Sequence, residues 1–334
     1  MKFIKGVLLF ALLFILLVGC SSNSQSTSAN VSNKSTSDQP GKKKIAVLLY
    51  SHTFQFMVAL DQGIRNEAAK QGVDVTVLDG QSNSQTQLNQ IQDSIAKKVD
   101  LIILDPANSD EIAPGVQKAK AAGIPVITVD GVVSKGANVV SSIAFNNEEA
   151  GKMAAKYITD TLGKGTALEL TGAPGEYHAI LRGGGFDKGL ALDSGFKVQT
   201  KNADWDAQKS KSITADSLTA NPAIKAIFTH NDDMQRGVLS GLRQVGKFVP
   251  AGKKGHITLV AVDGTPDALN RIRSGEQDAT VNQDPFVMGS LAVDTAVNYL
   301  AGKQVPKQQF TPPALVTKKN VSDPNLWGNK FKGN

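Results

Sequence analysis

The sequence predicts an α/β protein whose parallel strands are divided between two sheets. Nine apolar runs rich in β-branched residues have the length of buried strands, and helical patterns separate most of them. Strand and helix alternating at this interval indicate βαβ units, in which helices cover both faces of a parallel sheet. The sequence has no eightfold repeat of the kind that would indicate a barrel. Two of the apolar runs, between residues 125 and 145, follow each other without a helix. We therefore divide the chain near residue 145.

The predicted strands also indicate where a binding site would form. They span residues 45–50, 73–79, 100–105, 125–130, 139–145, 166–171, 196–200, 224–230 and 257–263. Apolar residues at helical spacing follow the first two of these strands. They are Met57, Leu60, Ile64 and Ala68 after the first strand, and Leu88, Ile91 and Ile95 after the second. Open α/β sheets bind ligands beyond the carboxyl ends of their strands. The residues at these ends are Tyr50, Asp79, Asp105, Asp130, Thr171, His230 with Asn231, and Asp263.

The first 19 residues predict export and lipid anchoring. Lys2 and Lys5 precede an uncharged apolar run that is short for a membrane span and ends at Cys20. This pattern resembles the lipobox of bacterial lipoproteins, in which the peptide before the cysteine is removed and the cysteine is acylated. Two or more acyl chains anchor a protein stably. An ordinary secretion signal is the alternative, but Cys20 is the single cysteine of the chain and stands at the cleavage site.

Residues 20 to 42 are predicted to form a disordered tether, because Ser, Asn, Thr and Gln dominate them. Removal of residues 1 to 19 takes away two lysines, so the formal charge falls from +6 to +4. This mild excess suits a protein near anionic lipid and gives no case for nucleic acid. A single cysteine excludes a disulfide within the chain. The predicted location is the extracytoplasmic side of the cell membrane.

Motifs of catalysis and metal binding do not occur in the sequence. The phosphate motif G-x-x-x-x-G-K-[ST], the nucleophile motif G-x-S-x-G and the zinc motif H-E-x-x-H are absent, and the four histidines stand far apart. The acidic pairs at 148–149 and 232–233 favour helix starts, and the triple glycine at 183–185 favours close packing of a helix. We expect no enzymatic activity, no cofactor and no metal; a glycosidase using Asp105 and Asp130 is the enzyme alternative.

Polar strand ends with aromatic rings nearby suit a polyhydroxylated ligand. Asp accepts hydrogen bonds, Asn and Gln both accept and donate, and aromatic rings pack on the C–H face of a sugar. Five segments then carry a family resemblance: IAVLL, PVITVD, NDDMQRGVL, VAVDGTPDAL and ATVNQDP. Their order and spacing are similar to those of the ribose-binding branch of the type I periplasmic binding proteins, the sugar receptors of bacterial ABC importers. The likeness spans about residues 43 to 316.

The resemblance implies two Rossmann-like lobes, joined by a three-crossover hinge, that close around a ligand. It places the amino-terminal lobe at residues 43–145 plus 284–312 and the carboxyl-terminal lobe at 146–283 plus 313–334. It implies a monomer that captures a small sugar or polyol and delivers it to ABC permease and ATPase subunits. A ligand-sensing receptor for a chemoreceptor or sensor kinase is the alternative. A sugar-responsive repressor is excluded, because a lipobox replaces the DNA-binding helix-turn-helix.

The resemblance also implies site residues. Asp130, Asn231, Asp263 and Gln283 match hydroxyl-binding positions, and Phe56 and Trp205 match stacking positions. Each also has a structural alternative, as a helix cap for Asn231 and Asp263 and as core for Trp205. With Tyr50 and Phe54 added, the predicted ligand-binding set is Tyr50, Phe54, Phe56, Asp130, Trp205, Asn231, Asp263 and Gln283.

Departures from the family pattern argue against ribose itself. Gly131 and Ile180 stand where ribose binders carry arginines, whose forks bind hydroxyls bidentately. Met57 replaces a phenylalanine, Phe54 a polar residue and Tyr50 a small hydroxyl residue. A second set of residues is predicted to restore hydrogen-bonding groups for another monosaccharide or a polyol: His52, Glu176, Tyr177, His178 and Arg182.

Overall fold

The computed structural model describes residues 41–134, 136–191 and 195–333. Residues Lys42–Asn334 form one compact unit. The predictions of a signal peptide, of acylation at Cys20 and of a tether up to residue 40 concern residues outside these ranges. Within the ranges, no helix has the length and apolar character needed to cross a membrane.

Strands and helices alternate along the described part of the chain. The strands are β1 (Lys44–Leu49), β2 (Asp74–Asp79), β3 (Leu101–Leu104), β4 (Val126–Asp130), β5 (Ser141–Phe145), β6 (Gly165–Thr171), β7 (Phe196–Asn202), β8 (Ile224–Thr229), β9 (Thr258–Asp263), β10 (Ala279–Asn282), β11 (Gln308–Thr311) and β12 (Ala314–Thr317). The helices are α1 (Gln55–Gln71), α2 (Ser84–Ala96), α3 (Ala113–Ala121), α4 (Asn147–Leu162), α5 (Tyr177–Ala191), α6 (Ala207–Ala220), α7 (Asp232–Gln244), α8 (Pro266–Ser274), α9 (Pro285–Leu300) and α10 (Trp327–Lys330).

The strands form two six-stranded sheets. The first has the order β11-β5-β4-β3-β1-β2 and is parallel throughout; the second has the order β12-β10-β9-β8-β6-β7, with β12 antiparallel to β10. The chain passes between the sheets three times, after β5, after β10 and between β11 and β12. Each sheet with its covering helices is one lobe. The predicted fold, two α/β lobes joined by three crossovers, is therefore confirmed.

Burial explains why these segments form strands. Every residue of β3, β4, β5 and β9 is buried, as expected for central strands covered by helices on both faces. Three four-residue strands, β10, β11 and β12, are missing from the predicted set. Their sequences form no clear apolar run, and pairing with a neighbouring strand stabilises them.

The helices follow the predicted spacing. Met57, Leu60, Ile64 and Ala68 are buried on α1, which ends at Gly72 in the left-handed conformation. The triple glycine lies within α5, where a Cβ on Gly185 would collide with the Glu148 carbonyl of α4. The close-packing interpretation is therefore confirmed, although the contact is in the middle of the helix rather than at its start.

Candidate functional site

A cavity lies where the carboxyl ends of the two sheets face each other. About 60 Å³ of this cavity is open to the centres of water molecules. This is room for several waters or a small polar ligand. Its walls include every residue of the predicted ligand-binding set, and three of the second set. The lining residues are Tyr50, Phe54, Phe56, Met57, Asp130, Glu176, His178, Arg182, Trp205, Asn231, Asp263 and Gln283.

Asp130, at the end of β4, contacts two residues of the other lobe. Gln283 Nε2 donates to Asp130 Oδ1 at 2.5 Å, and His178 Nε2 lies 3.2 Å from Asp130 Oδ2. Burial alone would raise the pKa of Asp130, but His178, Arg182 and the Gln283 hydrogen bond hold it below its usual value. Burial would likewise lower the pKa of His178, and Asp130 outweighs it, so that pKa is raised. These contacts of Asp130 therefore join the lobes across the cavity.

Arg182 is buried at the floor of the cavity and bonds to protein acceptors. Its Nε donates to Asn147 Oδ1 at 2.7 Å, its Nη1 to the His230 carbonyl at 2.5 Å and its Nη2 to Gln283 Oε1 at 2.7 Å. Nη1 also lies 3.7 Å from Asp263 Oδ1. Asn147 and Gln283 adjoin two of the three crossovers, so Arg182 connects the cavity to the hinge.

Tyr50 and Trp205 face each other across Glu176. The Tyr50 hydroxyl donates to Glu176 Oε1 at 3.5 Å, and Trp205 Nε1 donates to Glu176 Oε2. Burial raises the pKa of Glu176, and burial with the nearby Glu176 charge raises the pKa of Tyr50 to about 12. Tyr50 therefore remains a hydrogen-bond donor at neutral pH. Its ring lies 6.2 Å from that of Phe54, which extends the aromatic wall.

Asn231 is both a helix cap and a cavity residue. Its Oδ1 accepts a hydrogen bond from the Met234 amide at 2.9 Å, which caps α7 and leaves the amide group of the side chain to face the cavity. The cap of α8 is Thr265 rather than Asp263. The capping alternative thus holds for Asn231 and is wrong for Asp263.

Three cavity residues have a positive φ angle, a backbone conformation that residues other than glycine rarely adopt. The φ angles are 61° at Asp130, 60° at Trp205 and 123° at Asp263. Such positions cost free energy and concentrate at functional sites. Burial raises the pKa of Asp263 well above its usual range, against the opposing effect of Arg182. Asp263 is therefore an acidic group held in place at a cost in stability.

Gly131 and Ile180, which stand where ribose binders carry arginines, have different surroundings. A Cβ on Gly131 would lie 2.9 Å from Pro106 Cδ and 3.1 Å from Asp105 Oδ1, so position 131 accepts no side chain without movement. Ile180 is 58% exposed and is not part of the cavity wall. His178, from the other lobe, is the side chain that contacts Asp130 here.

Asp105 holds the loops that carry Tyr50 and Gly131. Its carboxylate accepts hydrogen bonds from both backbone amides, each at 3.3 Å. Burial, and then the charge of Asp130, raise the pKa of Asp105 well above its usual range. Asp105 is not part of the main cavity wall. These contacts give Asp105 a structural role in the two loops.

Two predicted residues lie outside the cavity and one lining residue was not in the predicted set. His52 Nε2 lies 3.5 Å from Asp61 Oδ2 on α1, and Tyr177 lines a smaller neighbouring space with Asn108 and Ser109. Met57 lines the cavity from the first turn of α1. The sequence could have indicated this role for Met57, because Met57 stands where the family has a phenylalanine. In residues 41–134, 136–191 and 195–333, no cluster of His, Cys, Asp and Glu is arranged to hold a metal ion.

Comparisons with known proteins agree with this architecture. Residues 45–304 match the model of the periplasmic binding protein domain family. The ribose import binding protein of Bacillus subtilis is 36% identical over 85% of this chain and 90% of its own length.

Solved structures show the same fold with ligands bound. A solute-binding protein of Actinobacillus succinogenes with bound D-allose is 27% identical, with a TM-score of 0.78, and the match covers 84% of this chain and 100% of that one. The myo-inositol-binding protein of Caulobacter, bound to myo-inositol, is 27% identical, with a TM-score of 0.79 and coverage of 86% and 97%.

Proposed function

This chain belongs to the periplasmic binding protein family, and we propose that it is the receptor of an ABC importer for a small sugar or polyol. The observation that carries the proposal is the set of contacts from Asp130 to Gln283 and His178, made between lobes at the cavity. A ligand that bonds to both lobes favours the closed form, since only that form offers both sets of contacts. The permease would recognise the closed form.

The ligand class follows from the side chains that remain free to bond. Asp263 offers carboxylate oxygen, Asn231 offers its side-chain amide group, and the aromatic wall of Tyr50, Phe54 and Trp205 offers packing surface. Relatives that bind ribose, D-allose and myo-inositol support a polyhydroxylated ligand. The absence of arginine at positions 131 and 180 supports one other than ribose, with His178 and Glu176 as the groups that distinguish it.

A thermal-shift screen tests the function. The full chain, purified in detergent, is heated with D-ribose, D-allose, D-fucose, myo-inositol or glycerol. A compound present at about 100 times its dissociation constant adds about 2.7 kcal/mol to the free energy of unfolding, so the melting temperature should rise. We expect a larger rise with a hexose or cyclitol than with D-ribose. A screen extended to further sugars and polyols without any rise would refute the ligand class.

Lipid anchoring at Cys20 is part of the same proposal, with residues 1–19 as the signal peptide and 20–42 as the tether. The apolar run that ends at the single cysteine supports it. Cys20→Ser removes the acylation site, and we expect the protein to leave the membrane fraction while its sugar affinity is unchanged. Cell fractionation followed by immunoblotting measures the change, with Ser21→Ala as the matched control. A Cys20→Ser protein that stays in the membrane would contradict anchoring.

Lobe boundaries are proposed at residues 43–145 plus 284–312 and 146–283 plus 313–334. Sheet membership supports them, because β5 and β6 lie in different sheets, as do β10 and β11, and β11 and β12. A monomer is proposed for the assembly, as the family resemblance implies.

A further inference from the structure

Residues 326–331, which follow the second sheet, lie directly behind the cavity. Trp327 is fully buried, and its Nε1 donates to the Asp263 carbonyl at 2.8 Å. A Cβ on Gly328 would collide with the Gly264 carbonyl, so the two backbones are in close contact. The 326–331 segment therefore holds the strand end that carries Asp263, where the φ of 123° needs support from its surroundings.

The same segment also contacts helices that cover the first sheet. The ring of Phe56 lies 6.4 Å from that of Trp327 at an interplanar angle of 79°, an edge-to-face contact. Phe331 packs 5.9 Å from Trp327 and 6.3 Å from Phe286, in the first turn of α9. Phe56 lines the cavity, and Phe286 follows the crossover after β10.

Local contacts fix the segment in the carboxyl-terminal lobe. The side chain of Asn329 donates to the carbonyls of Val321 and Asp323 at 2.9 and 2.7 Å, and Arg273 bonds to Asn329 Oδ1. Val321 itself packs among Leu269, Ile272 and Val316, away from the cavity. The segment is thus attached to one lobe while its aromatic rings contact the other.

We propose that residues 326–331 form a positioning element of the binding site, which fixes Asp263 and Phe56 in the arrangement that holds the ligand. Trp327 is the positioning residue, because it contacts Asp263 and Phe56 without lining the cavity, and Phe331 packs against Trp327. The inference rests on the proposed binding roles of Asp263 and Phe56. It adds a connection between the lobes that is separate from the three crossovers of the chain.

Trp327→Phe is the variant that tests the element, because it keeps an aromatic ring and removes the N–H that bonds to Asp263. Hydrogen exchange of the full chain, without ligand, is expected to become about threefold to tenfold faster in peptides covering residues 54–58 and 263–268. Affinity for the screened compound with the largest thermal shift is expected to weaken by a similar factor. Val116→Ala is the matched control: it removes buried apolar atoms from a cluster that includes neither residues 326–331 nor the cavity wall, so it should lower the melting temperature without weakening binding.

Each result decides the inference. Unchanged exchange in both peptides, or faster exchange with unchanged affinity, would overturn it, as would equal losses of affinity in Trp327→Phe and Val116→Ala. If no compound binds the unaltered protein, the proposed ligand class fails. Exchange then decides the positioning role by itself, with faster exchange in the two peptides supporting it and unchanged exchange overturning it.

Discussion

Arg182→Met is expected to destabilise the protein by about 3 to 5 kcal/mol at neutral pH, the usual cost of breaking a buried charged network. The variant leaves Asn147 Oδ1, the His230 carbonyl and Gln283 Oε1 without their donor. It also removes the cation that faces Asp263. A loss of this size lowers the melting temperature by about 10 °C in a chain of this length.

The pH dependence of this loss identifies its electrostatic part. Burial already raises the folded-state pKa of Asp263, and Arg182 opposes the rise. A group with a raised folded pKa contributes stability below its unfolded pKa, and this stability is lost as the pH rises through the folded value. Without Arg182 the folded pKa rises further, so the loss at neutral pH is larger. The difference in free energy of unfolding between Arg182→Met and the unaltered protein should therefore become smaller as the pH falls below the raised pKa of Asp263.

Urea unfolding of the full chain at neutral and acidic pH measures both effects. Lys156→Met is the matched control, because that lysine pairs with Asp160 on the surface and the two side chains are 74% and 61% exposed. Exposed pairs contribute up to about 1 kcal/mol, so the control should unfold close to the unaltered protein. If Arg182→Met were no more destabilising than Lys156→Met, Arg182 would not be the buried hub inferred from its hydrogen bonds.

The convergence of the site could be predicted because it depends on topology. Tyr50, Asp130, Asn231 and Asp263 all adjoin the carboxyl ends of strands, and such ends meet at one edge of a parallel sheet. Long apolar strands and α1 follow from clear periodicity. The gathering of these four residues around one cavity follows from the same regularity, whereas Phe56, Trp205 and Gln283 were predicted from the family resemblance.

Loops, short strands and distant contacts lack that regularity. His52 and Phe54 lie two residues apart before α1, yet Phe54 lines the cavity while His52 points to Asp61. No period exists in a loop to indicate which side chain faces inward. The contact of His178 with Asp130 and that of Trp327 with Asp263 join residues far apart in the chain. The first contact depends on how the lobes meet and the second on packing within the carboxyl-terminal lobe, and local patterns encode neither.

Asp130→Ala and Asn231→Ala are each expected to abolish the thermal shift produced by the screened compound while the protein remains folded. Asp130→Ala removes the acceptor of Gln283 Nε2 and the charge partner of His178, so both lose their orientation at the cavity. A hydrogen bond to a charged group contributes about 1.5 to 3 kcal/mol. The variant also removes the carboxyl group that is proposed to accept hydrogen bonds from two ligand hydroxyls. Loss of both weakens binding by at least about a hundredfold, which removes the shift at the concentrations of the screen.

Asn231→Ala has a second effect that must be separated from binding, because Asn231 also caps α7. Loss of the cap costs about 1 kcal/mol of stability. Asn146→Ala is the matched control, since Asn146 caps α4 through the Glu149 amide and does not line the cavity. Both variants should unfold at similarly reduced temperatures, and only Asn146→Ala should keep the thermal shift. Asn231→Asp keeps the cap and removes the amide donor, so it should retain stability and lose binding. If Asp130→Ala and Asn231→Ala both bound the compound normally, the ligand would lie elsewhere.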